Sequence, residues 1–159
     1  MPCNGVLATQ PVCAVKNQIN ESLKNMEVIK VTLDGGRRVT AHLNDGRQVT
    51  TDQPVAEGGT DTAPTPFDIF LASLATCAGV YVTDFCNHRN IPTDSISMTQ
   101  TAEFTMDDKG KHVLASVSLL INLPDDFPEK YREAVVRVAE LCAVKRAILH
   151  PPQFSVRLG

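Results

Sequence analysis

Apolar and polar residues alternate with a period of two over residues 28–33, 39–43 and 48–51, which predicts three short strands. Asp34-Gly35-Gly36 and Asn44-Asp45-Gly46 separate them with the glycine-bearing chemistry of tight turns, so the three form an antiparallel meander. Residues 57–64 are a Gly/Thr/Asp/Pro loop, and after it the pattern changes. Ile69, Phe70, Leu71, Leu74, Ala75, Cys77, Ala78, Val80, Tyr81 and Val82 leave almost no polar face, and the run predicts a helix to about residue 88. Thr65 can cap it, Pro66 suits its first position, and Asp68 completes a capping box. A helix without a polar face needs cover on all sides. In a chain of 159 residues, part of that cover is expected from a second subunit.

Asn90-Ile91-Pro92 ends this helix, and alternation returns over residues 95–106 and 112–123. These are two long strands joined by the turn Asp107-Asp108-Lys109-Gly110. Asp126 and Glu129 predict a second capping box, with Pro128 in the first turn. Tyr131, Ala134, Val135, Val138, Leu141 and Cys142 then recur at helical spacing on one apolar face. Residues 143–149 read as a further short helical turn, Pro151-Pro152 stop it, and residues 154–158 alternate as an edge strand. The order βββ-α-ββ-αα-β, with sequence neighbours paired as hairpins, is an α+β class rather than a parallel βαβ fold. A single domain is expected over residues 27–159. Residues 1–26 form an N-terminal arm, in which 14–25 reads as a short polar helix or a loosely ordered stretch.

Composition adds exclusions. The chain is 43% hydrophobic with a net charge of −3, so it can bury one core of useful size. It has no Lys/Arg stripe to neutralise phosphates, which argues against a nucleic-acid partner. The longest mostly apolar run, residues 69–82, is too short for a bilayer, so a buried helix and no membrane are expected. Met1-Pro2-Cys3-Asn4-Gly5 shows no basic n-region before an apolar core, and the cytoplasm is the expected location.

Cysteines stand at positions 3, 13, 77, 86 and 142, an odd count without a CxxC pair, which suits reduced thiols better than a disulfide framework. Cys86 and His88 offer at most two neighbouring ligands where structural zinc takes four, so no metal is expected. His42, His88, His112 and His150 are scattered, and no serine stands in a nucleophile elbow. Gly58-Gly59-Thr60 lacks the spacing of a nucleotide-binding loop. Cys77 lies deep in the apolar helix, where a free cysteine commonly serves as a small hydrophobe. Cys142 sits near a helix end. If a new turn starts at Ala143, its free N–H groups point toward the Cys142 sulfur and lower its pKa, with Lys145 and Arg146 adding positive potential. A core role for Cys142 reads equally well.

The stretch GGTDTAPTPFDIFLASLATC, residues 58–77, resembles the loop and central helix of the OsmC-like family (osmotically inducible protein C and organic hydroperoxide resistance proteins). In that family a proline leads into an apolar helix, with a cysteine eleven residues later. Pro66 and Cys77 keep this spacing. ELCAVKRAIL, residues 140–149, resembles the second signature, a cysteine followed by a short helix. The element order also matches, and the resemblance covers residues 27–159. It implies an OsmC-like fold, with antiparallel sheets wrapped around central apolar helices in an intertwined homodimer and active sites at the interface. It further implies thiol-dependent reduction of organic hydroperoxides, with Cys77 as peroxidatic and Cys142 as resolving thiol. No cofactor is bound on this reading, and an external dithiol such as dihydrolipoamide is the reductant. The alternative is a small hydrophobic-ligand-binding dimer with weakly reactive or structural cysteines. In the best-characterised peroxidase branch a glutamate follows the motif proline and pairs with an activating arginine. Phe67 stands at that position here, Asp68 reads as the capping acid, and Ala143 replaces a usual proline. Arg37, Arg38 and Arg47 are candidates for the arginine by region alone, and without a cation a buried Cys77 has a raised pKa. The chain thus resembles the broader branch of the family.

Overall fold

The computed structural model describes residues 28–159. The arm expected over residues 1–26, with Cys3 and Cys13, lies outside the described residues. The chain divides between Pro64 and Thr65 into two compact units. In the first, β1 (Lys30–Leu33), β2 (Val39–His42) and β3 (Gln48–Thr51) pair antiparallel in the order β1-β2-β3, as the alternation predicts. Val31 lies opposite Ala41 and Thr40 opposite Thr50. Gly46 takes φ +86° in the second turn, a left-handed conformation that costs glycine little.

The loop after β3 is more ordered than its composition suggests. The buried Asp52 carboxylate accepts from the N–H of Gln53 (2.8 Å), Thr60 (3.1 Å) and Thr62 (3.2 Å). It also accepts from the Thr60 and Thr62 hydroxyls, at 2.5 and 3.0 Å. These hydrogen bonds, led by that of Thr60, hold its pKa far below the ordinary carboxylate range. Gly59 is required by a close approach, since a Cβ there would lie 1.8 Å from the Gln53 carbonyl oxygen.

The second unit opens on α1 (Pro66–Asn87) and contains β4 (Ser97–Met106), β5 (His112–Asn122), α2 (Arg132–Ala139) and α3 (Ala143–Leu149). The expected capping box is present: Thr65 Oγ1 accepts from Asp68 N at 3.1 Å, and Asp68 accepts from Thr65 N at 2.9 Å. At the far end Asn90 takes φ +55°, and Ile91 N–H donates back to Cys86 O. β4 and β5 form a hairpin with Met98 opposite Ile121 and a bulge at Glu103/Phe104. Gln100 Nε2 donates to Leu71 O at 2.9 Å and ties β4 to α1. The core joins Ala78, Val82, Phe85 and Cys86 of α1 to Phe127, Val135, Ala139 and Cys142, with Met98, Leu119 and Ile121 packed against it.

Four expectations change here. No side chain caps the second helix: Pro128 begins a 3-10 turn (Glu129–Tyr131), and α2 starts after it at Arg132. The apolar face predicted to run through Cys142 is interrupted, because α2 ends at Ala139 and Cys142 is extended (φ −43°, ψ 121°) to cap α3. Residues 154–158 form no strand, with Phe154, Val156 and Leu158 almost fully exposed. Alternation shapes a strand only where an edge accepts its hydrogen bonds. Lastly, α1 is longer than the apolar run within it. Its 22 residues, with a mean hydropathy of 1.6 over 18 of them, suffice by length and composition to cross a membrane. Its buried residues, Leu74, Ala78, Val82, Phe85 and Cys86, lie on one stripe, as in the core helix of a globular domain. Val80 remains 58% exposed and Phe67 43% exposed, so this chain alone leaves other apolar positions uncovered.

Candidate active site

The second unit brings Cys77 and Cys142 together. Leu74 and Ala78 are buried on the α1 stripe that packs on the α2–α3 junction, and Cys77, between them in sequence, is half-buried beside the same core. Cys142 enters from the junction itself. Tight turns close the end of α2, with Leu141 N–H bonded to Val138 O and Cys142 N–H to Ala139 O. The chain then extends for one residue and α3 begins, leaving Cys142 only 2% exposed. Its Sγ lies 3.7 Å from Leu74 O, which can accept the thiol hydrogen, and accepts from Lys145 N–H at 3.4 Å.

The start of α3 explains how the two sulfurs differ. The first N–H groups of a helix have no partner within it. A capping side chain reaches only the second or third of them, and Cys142 takes the third, that of Lys145. The Val144 N–H favours the thiolate of either cysteine, and that of Ala143 favours the thiolate of Cys77. The Val144 amide, the Cys142 thiol, the Ala143 amide and the positive charge of Arg146 together outweigh desolvation and hold the Cys77 thiol below its ordinary pKa. Burial pushes the Cys142 thiol up, and the neighbouring Cys77 adds to this, against the Lys145 and Val144 amides. The expectation that the N–H groups of α3 face Cys142 is met at Lys145, yet burial keeps that thiol raised, and Cys77, expected to be raised for want of a cation, is the one lowered.

The other candidates are engaged elsewhere. Burial raises the Cys86 thiol, Arg89 opposes the shift, and the side chain belongs to the core. Among the described residues no three His, Cys, Asp or Glu side chains gather as a metal-ligand set. Asp68 serves the capping box, and the Thr65 hydroxyl and N–H lower its pKa. Phe67 packs at a tilt against Phe70 and Phe104, with ring centroids 5.4 and 5.8 Å away. In the first unit Arg37 donates to Glu57 O, Arg38 to the Thr62 hydroxyl, and Arg47 pairs with Asp45. A cleft of about 400 Å³ lies beyond the end of α1, where Arg89, Ile91, Phe127, Lys130 and Tyr131 are among its lining residues and no cysteine is. Sequence reasoning found both thiols and the short helix after Cys142. It missed that Cys77 is the thiol whose pKa is lowered, for which the only local signal was the helix start after Cys142.

The arrangement supports nucleophilic sulfur chemistry: a partly exposed thiol with a lowered pKa beside a buried thiol with a raised one. Comparison with known proteins agrees with the fold. The family model described as OsmC-like protein matches residues 59–157. No curated protein matches the chain. Among solved structures, a Psychrobacter arcticus protein named for osmotic stress induction and detoxification is 24% identical, with a TM-score of 0.66 over 80% of this chain and 90% of that one. An organic hydroperoxide resistance protein OsmC from Legionella pneumophila is 25% identical, with a TM-score of 0.56 over 77% of this chain and 88% of its own. The organic hydroperoxide resistance protein OhrB of Bacillus subtilis is 25% identical, with a TM-score of 0.51 over 76% and 90%. The α+β class and the OsmC-like fold expected from the sequence are those observed.

Proposed function

The chain belongs to the OsmC-like protein family, and on that premise we propose that it reduces organic hydroperoxides, with Cys77 as the attacking thiolate and Cys142 as the resolving thiol. One observation carries this reading: Cys77 of α1 and Cys142 at the α2–α3 junction lie beside each other, and their surroundings push their thiol pKa values apart. The Cys77 thiolate attacks the outer peroxide oxygen, the O–O bond breaks, and the alkoxide leaves as the alcohol on taking a proton. Cys77 is now a sulfenic acid. Cys142 gives up its proton as its sulfur attacks that of Cys77, an S–S bond forms, and hydroxide leaves with the proton as water. An external dithiol of the dihydrolipoamide class then reduces the disulfide, becoming a disulfide itself. A resolving thiol that stays protonated does not compete for the peroxide.

The reading includes protection against redox stress and reduced thiols in the cytoplasm, which the free Cys77, Cys86 and Cys142 suit. It also includes a homodimer, supported by the uncovered Val80 and Phe67 on an apolar helix. A second reading, a dimer that binds a small hydrophobic ligand, draws on the cleft beside Tyr131, whose volume is in the range of ligand sites. The test is consumption of cumene hydroperoxide with dihydrolipoamide. Cys77→Ser abolishes turnover on the peroxidase reading, while Cys142→Ser completes one turnover and stops as a sulfenic acid that dimedone traps. Wild-type consumption by Cys77→Ser, or none by the wild-type protein, leaves the ligand-binding reading.

A further inference from the structure

The cleft beyond the end of α1 holds a cation that the fold fixes in place and leaves without an anion. Arg89 Nη1 donates to Phe85 O at 3.0 Å, and the guanidinium carbon lies 3.7 Å from the centre of the Phe85 ring and 5.3 Å from that of Tyr131. The two rings meet edge to face at 5.7 Å, which ties α1 to the 3-10 turn before α2. Attraction to the ring faces and the backbone bond together restrict the rotamers of Arg89, so little freedom is left to lose when a ligand arrives. Its remaining N–H groups meet no acceptor among the described residues.

A second cation stands beside it. Lys130 Nζ lies 4.8 Å from the centre of the Tyr131 ring. Glu129, its neighbour in sequence, faces Arg132 instead, at 2.9 Å. The other ion pairs among the described residues are Arg47–Asp45 and Arg137–Glu133, so neither Arg89 nor Lys130 belongs to one. Asp126 is the one acid lining the cleft, and against the two cations it leaves a single net positive charge. That charge suits a monoanion better than a dianion, which Asp126 repels more strongly. Ile91, Phe127 and Tyr131 add apolar surface, and the volume of about 400 Å³ is that of a small-molecule site. A guanidinium presents parallel donors that match the two oxygens of a carboxylate.

We infer that this cleft binds a small organic carboxylate, a monoanion with an apolar body. The carboxylate sits on Arg89 and Lys130, and the body lies against Ile91, Phe127 and Tyr131. The inference rests on the ligand-binding reading for its cleft and adds the charge of the ligand. It does not depend on peroxide reduction, since no cysteine lines the site.

The test titrates the full-length protein with phenylacetate and with phenylacetamide, its neutral counterpart, and follows the backbone amide signals by NMR. Saturable shifts are expected at Asn90, Ile91, Lys130 and Tyr131, with the acid bound at least tenfold more tightly than the amide. Arg89→Gln should erase that preference. A preference that survives Arg89→Gln overturns the proposal. Because Gln gives up the stacking on Phe85, Lys130→Met at an exposed position provides a second variant. It should weaken phenylacetate at least threefold and leave phenylacetamide unchanged; undiminished binding of the acid overturns the proposal as well. Equal affinity of wild-type protein for the two probes would keep the cleft as a ligand site and sink its charge assignment. No saturable shift with either probe would sink the ligand-binding reading along with it.

Discussion

Cys77 and Cys142 are the same residue type, and what separates them is the balance of burial against nearby N–H groups and charge. The Val144 and Ala143 amides and Arg146 lower the Cys77 thiol, while burial raises that of Cys142 against the Lys145 and Val144 amides. A thiol with a lowered pKa carries more thiolate at a given pH, and thiolate is the form that alkylates. Iodoacetamide should therefore modify Cys77 with a pH midpoint below that of Cys142. Per-residue alkylation followed by mass spectrometry across pH reads both. Faster modification of Cys142 at neutral pH would contradict the assignment. The sequence made both cysteines legible, one through a proline spacing and one through a helix break. It did not reveal that Cys77 is the thiol lowered, because nothing local to Cys142 records that α1 packs against the start of α3. Asp52 was missed for a similar reason: its partners Thr60 and Thr62 read as ordinary loop residues until the chain folds back on them.

At the scale of elements, local chemistry is legible wherever the deciding partner lies within a few residues. The Thr65–Asp68 box at the start of α1 is such a case, and both of its backbone-to-side-chain bonds form. Removing the hydroxyl by Thr65→Ala should cost about 1 kcal/mol in urea unfolding, the usual worth of a helix cap. It should leave the pH midpoint of Cys77 alkylation in place, because the box stands at the other end of the run leading to Cys77. A loss below about 0.3 kcal/mol would mean that the cap does not support the helix, since even weak caps exceed that. Asp126 and Glu129 carry the same signature without the outcome, because Pro128 starts a 3-10 turn between them and α2 begins later. The alternation of residues 154–158 likewise reads as a strand, but pairing depends on an edge that the local pattern does not specify.

For the whole molecule, the order of strands and helices was legible because hairpins and a buried helix leave distinct periods. The α+β class followed from that order, and the matching family model covers residues 59–157. The feature that points beyond one chain is α1, apolar around most of its circumference yet buried along one stripe. Sedimentation equilibrium should give a mass of two chains. Val80→Asp, a charge placed where the helix is 58% exposed, should shift the population toward monomer if a second copy covers that face. A monomeric wild-type protein, or a variant that dimerises as tightly as wild type, would contradict that placement.

The central claim is that Cys77 and Cys142 act as one redox pair, and its most direct test is intact mass with peptide mapping after one equivalent of cumene hydroperoxide, without reductant. The account predicts a rapid loss of about two mass units, the two hydrogens given up when a sulfenic acid condenses with a thiol, located in a Cys77–Cys142 disulfide. An unchanged mass, or oxygen added to Cys77 without a bond to Cys142, would contradict it.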